Sequence, residues 1–288
     1  MKKFLILLLC AMLVLAVGCS EKSDSKTVDG SVVFTEKNLP RIAATPLTAD
    51  TALNYASAIL GADKTEAAKA VIVCDTTDEC YIKLIKNECD IVVAYPYGSV
   101  AESVLSTTAL RFTSTEIRQD ALVFLTNGKQ KVDAVSTEQL KSLFTKETTD
   151  WSGVGGEAMA VVLFGQKVGT AVQNAFEKYI GADVKISAVT STVATDKGDF
   201  MAEISYDNRN GGLGYALYSQ SKNLLGKGTV PLKVDGFEPT EENIATGKYP
   251  LKVPMMISIR ASEAAKSDTR LLYDWMLSEQ GLKCVTAG

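Results

Sequence analysis

The sequence predicts an α/β protein. Three features carry that expectation: short continuous apolar runs, helix patterns between them, and loops that end in threonines where helices begin. Uninterrupted apolar strands separated by crossover helices are buried on both faces, as in a parallel sheet.

The chain opens with Lys2 and Lys3 before an apolar run, Phe4 to Val17, that ends at Gly18-Cys19. A run this short and this early is a secretory signal, residues 1–18, rather than a membrane span. Residues 19–32, including "SEKSDSKTVDGS", lack apolar periodicity and read as a flexible tether. "AATPLT" (43–48) is the first loop leading toward a helix. "AVIVC" (70–74) and "DIVVAY" (90–95) are strands. Between them Thr76 and Glu79 have capping-box spacing ahead of Tyr81, Ile82, Leu84 and Ile85, which completes one βαβ unit. "ALVFLT" (121–126) is a third strand, and "VSTEQLKSLF" (135–144) a helix capped by Ser136 and Gln139. "AMAVVLF" (158–164) is a strand that feeds the loop "GQKVGT" (165–170). The helix after it buries Val172, Ala175, Phe176, Tyr179 and Ile180 and stops at Gly181. Further strands are expected at 184–190, 213–218 and 255–259, and a last helix over 261–280.

Composition removes several function classes. There is no histidine among 288 residues, which excludes Ser–His and Cys–His catalysis and most zinc sites. Loss of the signal takes two lysines and no acids, so the formal charge of −4 becomes −6, unlike the basic surface that nucleic acid requires. A serine–lysine or metal–carboxylate hydrolase finds no supporting spacing. Of six cysteines, Cys10 leaves with the signal; Cys74, Cys80, Cys89 and Cys284 are expected as buried free thiols, a Cys89–Cys284 bridge being the alternative. Asp90, at a strand start, reads as a structural hydrogen-bonding group.

In open α/β sheets ligands sit beyond the carboxyl ends of strands. Here that means "AATPLT", "CDTTDE" (74–79) and "GQKVGT", where helix N-termini offer N–H groups to a small anion.

The order and content of these segments resemble a known family. "IRQDALVFLTNGKQKVDAVSTEQLKSLFTKETTDWSGVGG" (117–156), "GGLGYALYS" (211–219) and "PTEENIATGKYPL" (239–251) are similar to segments of the phosphate-binding proteins of bacterial ABC transporters. Leu15 to Cys19 likewise resembles a lipobox, with Cys19 as the lipidated residue. The resemblance implies a type II periplasmic-binding-protein fold. Two α/β lobes, 33–118 with 217–288 and 119–216, are joined by two crossing strands near Gln119 and Tyr218. It implies an extracytoplasmic, membrane-anchored binding lipoprotein with no enzymatic activity and no cofactor, a monomer that delivers phosphate or a related anion to an ABC permease. The alternative is an accessory or receptor lipoprotein on the same fold that has lost tight phosphate binding and binds another small ligand. The resemblance places ligand contacts at Ala44, Thr45, Thr76, Thr77, Tyr95, Gly169 and Thr170; Lys167 and Arg209 are added as nearby cations.

Two departures stand out. The family loop R-x-x-G-S-G-T has Phe164 for its arginine and Val168 for its serine, and a family carboxylate has become Tyr95. Arginine binds oxyanions bidentately, and a lysine does not reproduce that fork. Weaker phosphate binding is therefore expected than in relatives that keep these groups, with Phe164→Arg and Val168→Ser together expected to restore it.

Overall fold

In the computed structural model residues 26–28, 31–181, 211–222 and 228–285 are described. Cys19, Arg209 and the strand expected over 184–190 lie outside them.

The described residues open with the hairpin β1 (Lys26–Val28) and β2 (Ser31–Val33), which takes in part of the segment read as a tether. Then come β3 (Ile42–Ala44), α1 (Ala49–Leu60), α2 (Lys64–Ala67), β4 (Val71–Val73), α3 (Thr77–Ile85), β5 (Ile91–Ala94) and α4 (Ser99–Leu105). The long strand β6 (Phe112–Thr126) is followed by β7 (Ala134–Val135), α5 (Thr137–Phe144), β8 (Val162–Leu163) and α6 (Ala171–Ile180). The rest is β9 (Gly212–Leu217), α7 (Tyr218–Ser221), β10 (Val230–Pro231), β11 (Lys233–Val234), α8 (Glu241–Ala245), β12 (Lys252–Arg260), α9 (Asp268–Met276) and α10 (Glu279–Leu282). No described helix is long and apolar enough to cross a membrane.

The strand order is β4-β3-β5-β12-β6-β9-β8, with β10 on the end of β6. The β3–β4, β3–β5 and β8–β9 pairs are parallel, as the continuous apolar runs predict. β5 shows why such a run is needed. Ile91 and Val93 face Tyr55 and Ala52 of α1, whereas Val92 and Ala94 face Tyr81 and Leu84 of α3 and Ala101 of α4. β6 belongs to two sets of pairings. Its residues 112–121 pair with β12 and 122–126 with β9. A register shift between Met255 and Met256, opposite Arg118 and Glu116, marks a bulge near that change of partner. β10 pairs with Thr126 and Leu125, and β11 with β7, so residues 230–234 are carried by strands of the 119–216 segment.

The helix signals were informative. Ser136 accepts from the Gln139 N–H and Gln139 reaches back to the Ser136 N–H, a full capping box. Thr76 caps Glu79, but the Glu79 carboxylate accepts from the Asp75 N–H, one residue earlier than the motif predicts. The single helix expected over 261–280 is instead α9 and α10. Ser267 caps α9 and Ser278 caps α10, and Gly281 fits because a Cβ there would stand 2.4 Å from the Trp275 carbonyl oxygen. The strand expected over 158–164 is reduced to Val162–Leu163.

Cys74, Cys80, Cys89 and Cys284 are free, so the alternative bridge does not form. The first three are buried in one cluster with Tyr81 and Leu84, whereas Cys284, expected to be buried too, is only partly so. Burial pushes the Cys89 thiol up to about 12, which keeps it protonated and unreactive.

Asp90 is structural, as expected. Its carboxylate accepts from Arg41 Nε and N–H at 2.9 Å each and pairs with Arg260 at 3.3 Å. Burial raises its pKa, but the hydrogen bonds and charge of Arg41 and Arg260 outweigh that and hold it below the usual carboxylate range. A lowered folded-state pKa contributes stability above the ordinary value near 4, and that stability is lost as pH falls through the folded value. Asp90→Asn is expected to cost about 1.5–3 kcal/mol at pH 7. Urea melts at pH 7 and pH 3 check this: the gap to wild type should shrink at the lower pH.

Candidate functional site

Two of the three loops meet. At the end of β4, Cys74 and Asp75 lead to Thr76, the N-cap of α3, whose hydroxyl accepts from Glu79 N at 3.2 Å. Thr77 follows in the first turn. It is fully buried, and its Oγ1 has no hydrogen-bond partner. A buried hydroxyl left unpaired costs about 1–3 kcal/mol. The N–H of Asp78, next in line, donates to the Gly169 carbonyl at 3.0 Å.

Gly169 lies in the loop beyond β8, with φ +82°. A side chain there is strained by the backbone and would bring a Cβ to 3.3 Å from Asp78 Cβ and 3.5 Å from Thr76 Oγ1. Glycine therefore lets the two loops close on each other. Thr170 caps α6: its hydroxyl accepts from Gln173 N at 3.3 Å and donates to the Lys167 carbonyl at 2.7 Å. Tyr215 of β9 holds the same loop. Its hydroxyl accepts from Gln166 N at 3.3 Å and donates to Gln173 Oε1 at 2.6 Å, while its ring stacks on Phe176 at 4.3 Å. Thr76, Thr77, Gly169 and Thr170 are thus brought to one place.

The remaining expected residues are distributed as follows. Ala44 ends β3 and Thr45 is buried just beyond it, its N–H on Thr48 Oγ1 at 3.1 Å. Thr48 donates to the Val93 carbonyl at 2.6 Å and caps no N–H of α1. The loop therefore ties β3 to β5 directly beneath the start of α1. Lys167 is partly exposed and makes no salt bridge among the described residues. Val168, in the serine's position, is 58% exposed. Phe164, in the arginine's position, is 2% exposed within the main hydrophobic core.

Tyr95 is held in a different constellation. Its hydroxyl donates to Asp120 Oδ2 at 2.7 Å and accepts from Arg118 at 2.8 Å. Asp120 also accepts from Ser219 Oγ at 2.5 Å and from the N–H groups of Ser219 and Ala121. Burial, with the Asp120 charge, pushes the Tyr95 phenol far up, so it is a permanent donor to that carboxylate. The cluster joins β5, β6 and α7 where β6 changes partners. Sequence reading missed Arg118, Asp120 and Ser219. The one signal was two charged residues, Arg118 and Asp120, just before the apolar part of β6.

A cavity of about 260 Å³ opens beside the junction, between Tyr97 and Gly98 on one side and Asn174, Ala175 and Tyr179 of α6 on the other. It touches neither Thr77 nor Gly169, and its walls are mostly apolar, so it is distinct from the hydroxyl-lined junction. The junction offers threonine hydroxyls and helix N-termini but no nucleophile–base pair.

A family model described as a PBP superfamily domain matches residues 36–280. The phosphate-binding protein PstS of Bacillus subtilis is 27% identical over 127 residues, 43% of this chain and 39% of that protein. The phosphate-binding protein PstS of Borreliella burgdorferi is 24% identical over 178 residues, 58% of this chain and 61% of that protein. The chain thus matches less than two thirds of the length of either relative. Among solved structures, an ABC-type phosphate transport receptor from Vibrio cholerae superposes with a TM-score of 0.66 at 18% identity, covering 85% of this chain and 96% of that one. With the family match spanning most of its length, and a mixed sheet whose strands feed the loops described above, the chain belongs to the PBP superfamily and has a periplasmic-binding-protein fold.

Proposed function

We propose that the protein is an extracytoplasmic solute-binding lipoprotein of an ABC importer. It binds phosphate or a related small anion in a cleft between two lobes and hands it to a membrane permease. It is a binding protein, not an enzyme. The observation that carries this reading is the buried, unpartnered hydroxyl of Thr77 at the junction of the α3 and α6 N-termini. An oxyanion is the acceptor that such donors suit. The names of the relatives point the same way, and the proposed lobes are 33–118 with 217–288 and 119–216, the strands β10 and β11 reaching across onto the second. The ligand set proposed is Ala44, Thr45, Thr76, Thr77, Lys167, Gly169 and Thr170, with Arg209 as an added cation; Tyr95, whose hydroxyl is taken up by Asp120 and Arg118, is left out of it.

A second reading, an accessory or receptor lipoprotein on this fold, is favoured by one observation: Phe164, at the position where the loop pattern it resembles has an arginine, is packed into the core. Calorimetric titration with phosphate, sulfate and organic phosphates distinguishes the two. Saturable phosphate binding supports transport; no binding of any oxyanion by folded protein supports the receptor. The lipid anchor is tested separately: Cys19→Ala is expected to release the protein from washed membranes, and retention overturns the anchor.

A further inference from the structure

We propose that Asp78 and Asn174 form a latch that holds the cleft closed when no anion is bound. This rests on the two-lobe reading above, because Asp78 and Asn174 lie in different proposed lobes.

Asp78 is 1% exposed and Asn174 8%. The Asn174 Nδ2 donates to Asp78 Oδ1 at 2.7 Å, and to the Pro96 carbonyl at 3.4 Å. Asp78 is fixed from its own side by the N–H of Gly98 at 2.7 Å and the N–H of Ala101 at 3.0 Å, so it serves as the anion at the start of α4. Its own N–H donates across the junction to the Gly169 carbonyl at 3.0 Å. Gly98 is what admits the amide: a Cβ at that position would stand 2.2 Å from Asn174 Oδ1. At the rim, Ser99 Oγ donates to Glu177 Oε2 at 3.3 Å.

These contacts join the two sides. Opening the cleft leaves Asp78 with its two local donors but strips it of Asn174, and strips the Asp78 N–H of its acceptor. A charge-assisted hydrogen bond is among the stronger ones, so the closed arrangement is favoured before any ligand arrives. Binding then needs little further closure, and apparent affinity rises with the fraction of molecules already competent. Asp78 and Asn174 act as positioning residues: they bring Thr76 and Thr77 against Gly169 and Thr170 without contacting the anion.

Hydrogen–deuterium exchange of the full chain, dialysed free of phosphate, tests this at one amide. The Asp78 N–H bonds across the junction, whereas the Gly98 and Ala101 N–H groups bond within one side. In wild type the Asp78 amide is expected to be protected without phosphate nearly as well as with it. Asn174→Asp sets two carboxylates against each other and should speed exchange of the Asp78 amide at least tenfold while Gly98 and Ala101 stay protected. Asn174→Ser, which removes the donor without adding charge, should act in the same direction. An unprotected Asp78 amide in ligand-free wild type overturns the latch, as does unchanged protection in both folded variants. If wild type is protected and the variants are not, but phosphate alters none of them, the latch stands and phosphate as ligand falls.

Discussion

Thr77→Val is expected to weaken oxyanion binding about tenfold to a hundredfold while leaving thermal stability unchanged or raised. The two halves of that result have one cause. Thr77 Oγ1 is buried and unpartnered, so in the free protein it contributes no hydrogen bond and carries a desolvation cost of about 1–3 kcal/mol. Valine has nearly the same shape without the hydroxyl, and at the first turn of α3 it is no worse a helix residue than threonine. In the complex the same hydroxyl would donate to a charged acceptor, an interaction of about 1.5–3 kcal/mol, which sets the expected loss of affinity. Thermal melts and calorimetric titration of the two proteins give both halves. A variant that melts several degrees lower would reveal a structural partner for the hydroxyl. Unchanged affinity would move the ligand away from Thr77.

The residues that sequence reading placed well are those whose signal is local. The apolar run at β5, the Ser136–Gln139 cap and the loop glycine before Thr170 each depend on neighbours within a few positions. The helix expected over 261–280 divides for a local reason too: Ser267 and Ser278 are caps, and they outrank the apolar spacing that runs across both helices. The other omissions are long-range. Asp78 meets Asn174 ninety-six positions later, and Asp120 meets Ser219 ninety-nine positions later. Nothing in either stretch announces the partner. Tyr95 illustrates the same limit: its place at the end of β5 was legible, but its hydroxyl is occupied by Arg118 and Asp120 from another strand.

Phe164 is where family comparison and packing give opposite expectations for one substitution. On loop spacing alone, Phe164→Arg with Val168→Ser regains an anion-binding motif. In the fold, Phe164 directly follows β8, its N–H on the Leu213 carbonyl at 2.9 Å, and its side chain is buried in the core. Losing a buried phenylalanine costs about 3–5 kcal/mol, and a guanidinium in its place must either remain unpaired in the core or swing out and leave a void. Val168 is exposed, so Val168→Ser should stay within about 0.5 kcal/mol of wild type. The double variant is therefore expected to lose at least about 3 kcal/mol, nearly all of it from Phe164→Arg, with no gain in phosphate affinity. Urea unfolding of the two single variants and the pair measures the loss, and titration with phosphate at a temperature where each remains folded measures binding. A double variant that keeps wild-type stability and binds phosphate more tightly would mean that residue 164 can leave the core and face the cleft. The charge missing from this loop would then be recoverable by two substitutions, and the receptor reading would lose its support.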